Sequence, residues 1–273
     1  MTKRILKILY KYRSWQEEIP SEKRFQRKIL THSEIYFPCP KDFNDPFDSK
    51  ILKRYDLMSF EERISFLYIK LYRRYPNLSM HDIHNKFVKE IEKAKIISDS
   101  TLMDLSKKYS EGLISNHGIF STSRRNNNIL MWTHYGNSHK GYCIGFDSYK
   151  LLNFLDSLGY KVGLFPVNYD NNYPTILPKI KKEEIVQNIF TQLTTKAKQW
   201  EYEKEYRYII VENSSFPVVI DREIFKNIIF GCEMNQDTEI ELRERIQKDY
   251  PKMKIFKAVK VDDKFKLEIR KII

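Results

Sequence analysis

GIFSTSRRNNNILMWTHYGNSHKGYCIGFD, Gly118 to Asp147, is the stretch whose reading decides the fold. Ile119 and Phe120 open a short apolar strand that runs into three hydroxyl residues, Ser121, Thr122 and Ser123. A polar turn from Arg124 to Asn128 follows. Met131, Trp132, His134 and Tyr135 then fall within one helical turn, and Tyr142 to Phe146 forms a second strand. Gly141 and Gly145 bracket that strand, where backbone must turn sharply or come close to another group. Hydroxyls, amides and aromatics crowded at strand ends are the make-up of a ligand cleft. A hydroxyl-capped helix between two core strands uses the same residue types, so the stretch alone leaves both readings open.

Working outward, 273 residues make one large domain or two small ones, with 41% hydrophobic and 14% aromatic residues to build a core. That composition argues against disorder. No run approaches the ~18 apolar residues of a membrane span. The N-terminal MTKRILKILYKYR is interrupted by lysines and reads as mature protein, not as a signal peptide. Cys39, Cys143 and Cys232 are odd in number and widely spaced, which speaks against a disulfide framework or zinc ribbon and for a cytoplasmic chain. A net charge of +12 fits a polyanionic partner, although lysine on solvated faces gives the same total.

On either side the pattern alternates between strands and helices. Ile5 to Arg13 reads as a strand presenting Tyr12 and Arg13 at its end, residues 22–30 as a short helix, and Glu34 to Phe37 as a second strand. KDFNDPFD, Lys41 to Asp48, is turn chemistry whose two Phe side chains can pin it to the core. Residues 55–115 carry apolar residues at three-and-four spacing in three segments, with a Gly stop at Gly112, and read as a helical insertion within a single domain spanning 1–273. His81 and His84 on the second helix lack further metal ligands. Later come a helix at 151–158, a strand at 161–169 and a helix from Lys181 to about Gln199. The tail alternates strands (218–220, 228–230, 254–261, 264–269) with a helix at 236–250. The fold class is α+β with a mixed, mostly antiparallel sheet.

WEYEKEYRYIIV, Trp200 to Val211, carries the chemistry. A strand from about Glu203 projects Glu203, Glu205 and Arg207 to one face. Two carboxylates side by side are a usual device of acid–base and cation-stabilising sites. No Walker loop, no G-x-G-x-x-G, no G-x-S-x-G and no H-E-x-x-H occurs. His134 and His139 lie near Cys143 in sequence, but a buried core cysteine is the commoner case.

LYKYR (Leu9 to Arg13), IYFPCPKDFNDPFD (Ile35 to Asp48), FSTS (Phe120 to Ser123), ILMWTHYGNSHKGYCIGFD (Ile129 to Asp147) and WEYEKEYRYI (Trp200 to Ile209) together resemble the bacterial domain-of-unknown-function family 2971. The order Arg13, Ser121-Thr122-Ser123, Glu203-x-Glu205 also looks like the Arg–Ser–Glu group of ADP-ribosyltransferases. That second resemblance implies a sheet core of ADP-ribosyltransferase type and NAD as cofactor. It implies that Glu205 stabilises an oxocarbenium-like cation, Glu203 positions the acceptor, Ser121 orients the carboxylate with Thr122 beside it, and Arg13 holds the cofactor. Tyr12, Tyr36, Trp132 and Tyr135 are then the stacking candidates. The expected activity is a toxin or anti-phage effector that modifies a single-stranded nucleic acid, or else a protein, with an antitoxin as partner and no membrane. The rival readings are a metal-dependent nuclease or phosphohydrolase, using Asp42, Asp45 and Asp48 with Glu203 and Glu205, and a non-catalytic nucleotide-binding sensor.

Overall fold

The computed structural model describes residues 6–15, 25–93, 114–179 and 181–272. The chain divides into two units, one of Met1–Cys39, His117–Tyr169 and Lys198–Ile273, the other of Pro40–Asn116 and Asp170–Ala197.

The first unit is built on an eight-stranded sheet. Its strands are β1 (Ile8–Arg13), β3 (Gly118–Ser123), β4 (Tyr142–Asp147), β5 (Val162–Pro166), β8 (Glu205–Ile210), β10 (Phe225–Phe230), β11 (Lys254–Val261) and β12 (Lys264–Lys271). They lie in the order β12-β11-β10-β4-β1-β3-β8-β5. Every pairing is antiparallel except β10 with β11. A mixed, mostly antiparallel α+β sheet is therefore present, as the alternating pattern implies. β2 (Glu34–Phe37) pairs separately with β9 (Phe216–Val219) in a two-stranded ribbon.

Alternation along these strands separates two packed faces. On the first, Leu9, Phe120, Ile144, Phe146 and Tyr208 pack with Ile29 and Leu30 of α1 (Phe25–Thr31), Leu151 and Leu155 of α5 (Ser148–Ser157), and Leu242 and Ile246 of α7 (Gln236–Asp249). On the second, Tyr12, Cys143, Ile229, Ala258 and Leu267 pack with Met131 and Trp132 of α4 (Ile129–Tyr135). Asn128 caps α4 by accepting from the Met131 N–H at 3.0 Å. The strand–turn–helix–strand reading of Gly118 to Asp147 thus describes the centre of the sheet and the helix on its smaller face.

The second unit contains α2 (Phe60–Arg74), α3 (Met80–Lys93) and α6 (Lys182–Thr194). Ser59 and Glu62 close a capping box on α2, and Tyr68 meets Phe87 edge-on at 5.2 Å. The third expected helical segment, with Gly112, lies outside the described residues, as do residues 16–24. Phe47 does not pin its loop: it is exposed, and Asp45 instead holds the turn by accepting the Phe47 N–H at 2.8 Å. The helix expected to reach Gln199 ends at Thr194. There Thr194 and Thr195 bond back to Phe190 and Thr191 carbonyls, each at 2.7 Å, competing with the helical ladder. No described helix is long and apolar enough to cross a membrane.

Candidate functional site

The register of the sheet fixes which side chains can meet. Tyr10 lies opposite both Gly145 and Ser123, and Ser123 lies opposite Glu205. Directly opposed residues share a face, so Tyr10, Ser123 and Glu205 form one row across β1, β3 and β8. Ser121 and Arg207 are opposed one step along and join the same face. This is the second face, under α4.

The strand expected from Glu203 begins two residues later. Lys198–Glu203 is a 3-10 helix, and Lys204 takes a left-handed φ of 44° before β8 starts at Glu205. Glu203 therefore reaches the site from a turn and not from the strand. The Ser123 hydroxyl fixes that turn by donating to the Glu203 carbonyl at 2.5 Å. The Glu203 carboxylate accepts from the Tyr135 hydroxyl at 2.7 Å. Glu205 is held bidentately by Arg207, Nε to Oε1 at 2.8 Å and Nη2 to Oε2 at 3.2 Å. The Tyr169 hydroxyl accepts the Glu205 N–H at 2.8 Å.

Glu203, Glu205 and Arg207 are all buried. Burial and the neighbouring Glu203 push the Tyr135 phenol far above its ordinary value, so it remains a donor. Tyr169 is raised likewise, first by burial and then by Glu205 and Glu203, against a lowering contribution from its hydrogen bond to the Glu205 backbone. Glu205 is thus charge-paired with a guanidinium, and Glu203 accepts from a phenol. Two buried carboxylates held close to the same phenols are a usual device of acid–base sites.

The other expected residues fall elsewhere. Arg13 is three residues beyond Tyr10 on the same strand, which puts it on the first face, opposed to Tyr142. The Arg13, Ser121 and Glu205 order in the chain therefore does not become a convergence in space. Arg13 Nε is buried without a hydrogen-bond partner, and burial lowers its pKa to about 10. Thr122 also faces away, its hydroxyl donating to the Tyr206 carbonyl at 2.9 Å. Tyr12 and Trp132 are core: their rings meet edge-on at 5.2 Å, and their polar tips donate to the Arg125 and Asn126 carbonyls. Tyr36 sits on the β2–β9 ribbon. Of the residues expected to cradle NAD, Tyr12, Ser121, Trp132 and Tyr135 lie on the face of Glu205, but Tyr12 and Trp132 are packed into its core and Arg13, Thr122 and Tyr36 fall elsewhere, so this set does not fit the cofactor as assigned. Among the described residues no three His, Cys, Asp or Glu side chains gather as a metal set.

Sequence reading missed Tyr169, whose strand gave no sign that its hydroxyl would meet Glu205, 36 residues away. It also missed Asn227. Gly145 leaves room for this side chain, since a Cβ there would lie 2.5 Å from Asn227 Oδ1. Burial raises the Tyr10 phenol, and the nearby Asn227 and Asn126 amides oppose that rise, which extends the row toward β10. The bracketing glycine was the available signal.

Tyr202 and Lys204, on either side of Glu203 in the chain, line a cleft of about 390 Å³ together with Arg125, Asn127, Asn128, Ile129, Leu130, Phe265 and Lys266. Phe265, in β12, is fully exposed. Residues 131–208, from α4 to β8, match the family described as Protein of unknown function (DUF2971). That stretch contains both carboxylates, Tyr135, Tyr169 and Arg207. No curated protein and no solved structure matches the chain.

Proposed function

We propose that this chain is an enzyme acting by acid–base chemistry on a nucleotide-containing polyanion, with glycosyl transfer or hydrolysis as its reaction class. The observation that carries the reading is a pair of buried carboxylates, Glu203 accepting from the Tyr135 hydroxyl at 2.7 Å and Glu205 from Arg207 at 2.8 Å. Cleaving a bond between a base and a ribose builds positive charge on the sugar and negative charge on the leaving group. A carboxylate held as an anion suits the first need, and Glu205 is held so by Arg207. A carboxyl that exchanges a proton suits the second, and Glu203 with its phenol partner takes that part. Arg125, Lys204 and Lys266 supply cations along the adjacent cleft, and Phe265 and Tyr202 supply ring faces, which fits single-stranded nucleic acid.

The test is base release, followed by mass spectrometry, from single-stranded RNA and DNA oligonucleotides and from free nucleotides, NAD among them. Wild type is expected to release a base, and Glu203→Gln to lose ~10²-fold or more of that rate while remaining folded. Intact substrates throughout, or equal rates for the two proteins, would overturn the proposal. The buried carboxylates would then be read as part of the architecture.

A further inference from the structure

A second constellation lies away from the carboxylates, where the loop after α4 meets the turn after β10. His139 and Cys232 are 93 residues apart, yet Cys232 Sγ lies 3.7 Å from His139 Nδ1. The approach is built into the backbone. Asn137, Ser138 and His139 are three consecutive left-handed residues, with φ of 49°, 50° and 67°. Gly231 lets the two loops close up: a Cβ there would stand 1.9 Å from the His139 carbonyl oxygen. The Glu233 N–H then donates to that carbonyl at 3.0 Å.

The other ring nitrogen fixes the tautomer. Thr133 Oγ1 lies 3.2 Å from His139 Nε2 and 3.0 Å from the Ile129 carbonyl. A carbonyl can only accept, so the single hydroxyl proton of Thr133 goes to Ile129. Its oxygen is left to accept the Nε2–H of His139. Nδ1 consequently carries a lone pair, and that lone pair faces the thiol. Trp132 stacks along the imidazole at 6.4 Å and steadies the ring. Nucleophile, base and orienting hydroxyl thus follow one another as in base-assisted nucleophilic catalysis.

Burial favours the neutral form of both partners. Burial lowers the His139 pKa, with Glu233 opposing and Lys260 assisting. Burial raises the Cys232 thiol, with Glu233 adding to the rise and Lys260 and Lys257 opposing it. Both residues open into a cavity of about 530 Å³. Ile129, Val261, Phe265 and Leu267 give it an apolar lining, and Lys260, Lys264 and Lys266 stand along it together with Glu233, Asp262 and Asp263. The charges balance, so the apolar walls set what fits, and an apolar chain fits them.

We propose that Cys232, with His139 as its base, is an acyl-accepting nucleophile for acyl thioesters that carry an apolar chain. As Cys232 Sγ bonds to the thioester carbonyl carbon, the thiol proton passes to His139 Nδ1. The bond from that carbon to the departing sulfur then breaks, and the departing thiolate takes the proton from His139. One thioester and one protein thiol become one acyl-protein thioester and one free thiol, with no oxidant or reductant consumed.

Octanoyl-coenzyme A is a suitable probe, since it joins a medium apolar chain to a phosphorylated carrier. Whole-protein mass and peptide mapping are expected to show one octanoyl group, on Cys232, removable by hydroxylamine and matched by an equal release of coenzyme A. Cys39 and Cys143 are buried and serve as internal controls. His139→Asn keeps a residue that accepts the left-handed backbone but loses the base, and is expected to slow acylation by ~10²-fold or more. Thr133→Val frees the tautomer and is expected to fall between the two. No adduct on Cys232, an adduct on another cysteine, or equal rates in wild type and His139→Asn would each overturn the proposal. Failure to acylate counts against it even where iodoacetamide still alkylates Cys232, because that shows only an accessible thiol. Base release by Glu203 is scored separately, so either reading can fail without the other.

Discussion

Arg13→Met separates the arrangement of strands from the order of motifs. If Arg13 held an anionic ligand beside Glu205, losing its charge would abolish activity. The sheet instead puts it on the first face, opposed to Tyr142, with Nε buried and without a hydrogen-bond partner. Burial brings the guanidinium pKa down to about 10, with the Tyr142 phenol opposing part of that shift. At ~1.36 kcal/mol per pH unit, the folded state carries a charge-burial cost on the order of 3 kcal/mol. Met has a similar length and no charge, and replacing buried ions by apolar residues of like volume is often neutral or stabilising by ~1–4 kcal/mol. The variant is therefore expected to gain between zero and ~3 kcal/mol at neutral pH. The sign follows from linkage. A base whose folded pKa is depressed binds its proton better when unfolded, so the penalty is fully present below pH 10. It fades as pH rises from about 10 towards the ordinary guanidinium value. Urea unfolding at pH 7 and pH 9 should show the same gain at both. A loss of more than ~1 kcal/mol, or loss of base release with the fold intact, would refute the placement of Arg13.

Two further predictions test the second face. Gly145→Ala puts a methyl carbon 2.5 Å from Asn227 Oδ1 and 3.0 Å from Ile8 Cγ2, and should cost ~1–3 kcal/mol in chemical denaturation. Asn227→Ala in the same chain should recover part of that cost, and no recovery would mean that Asn227 is not the obstacle. Phe265→Ala removes a fully exposed ring, so its unfolding midpoint should stay within error while oligonucleotide affinity falls by ~1–3 kcal/mol per stacked base. Unchanged binding in a fluorescence anisotropy titration would remove Phe265 from the nucleic-acid groove.

The strand boundaries were legible wherever apolar alternation ended in a polar turn. Glu34–Phe37 and Lys254–Val261 lie where the pattern puts them. α4 was legible from four residues at helical spacing. Boundaries were lost where a side chain competed with the backbone. Thr194 and Thr195 end α6 early by bonding to carbonyls one turn back. Lys204 delays β8 through a left-handed φ that no residue type announces, lysine being an uncommon occupant of that region. Contacts across long stretches of chain were beyond reach. Nothing local to Tyr169 or Cys232 names Glu205 or His139 as its neighbour.

The candidate site shows why motif order and spatial convergence separate. A strand side chain keeps its face only at even steps, so a three-residue step from Tyr10 to Arg13 reverses it, whatever the sequence motif suggests. The absolute face is set by pairing, and pairing is long-range: Tyr10 with Ser123, Ser123 with Glu205. Glu205 and Arg207 are two steps apart, so their sharing a face followed from parity once β8 was known to be a strand. Glu203 defied the same rule, because the turn at Lys204 breaks the alternation, and yet it arrived beside Glu205. Its place there comes from a serine on β3 and a tyrosine on α4, 80 and 68 residues away along the chain. The turn is held as firmly as the strand, by the Ser123 hydroxyl on the Glu203 carbonyl and the Tyr135 hydroxyl on its carboxylate. On the function proposed above, Tyr135 is then the partner through which Glu203 exchanges a proton, and Arg207 the one that keeps Glu205 a fixed charge.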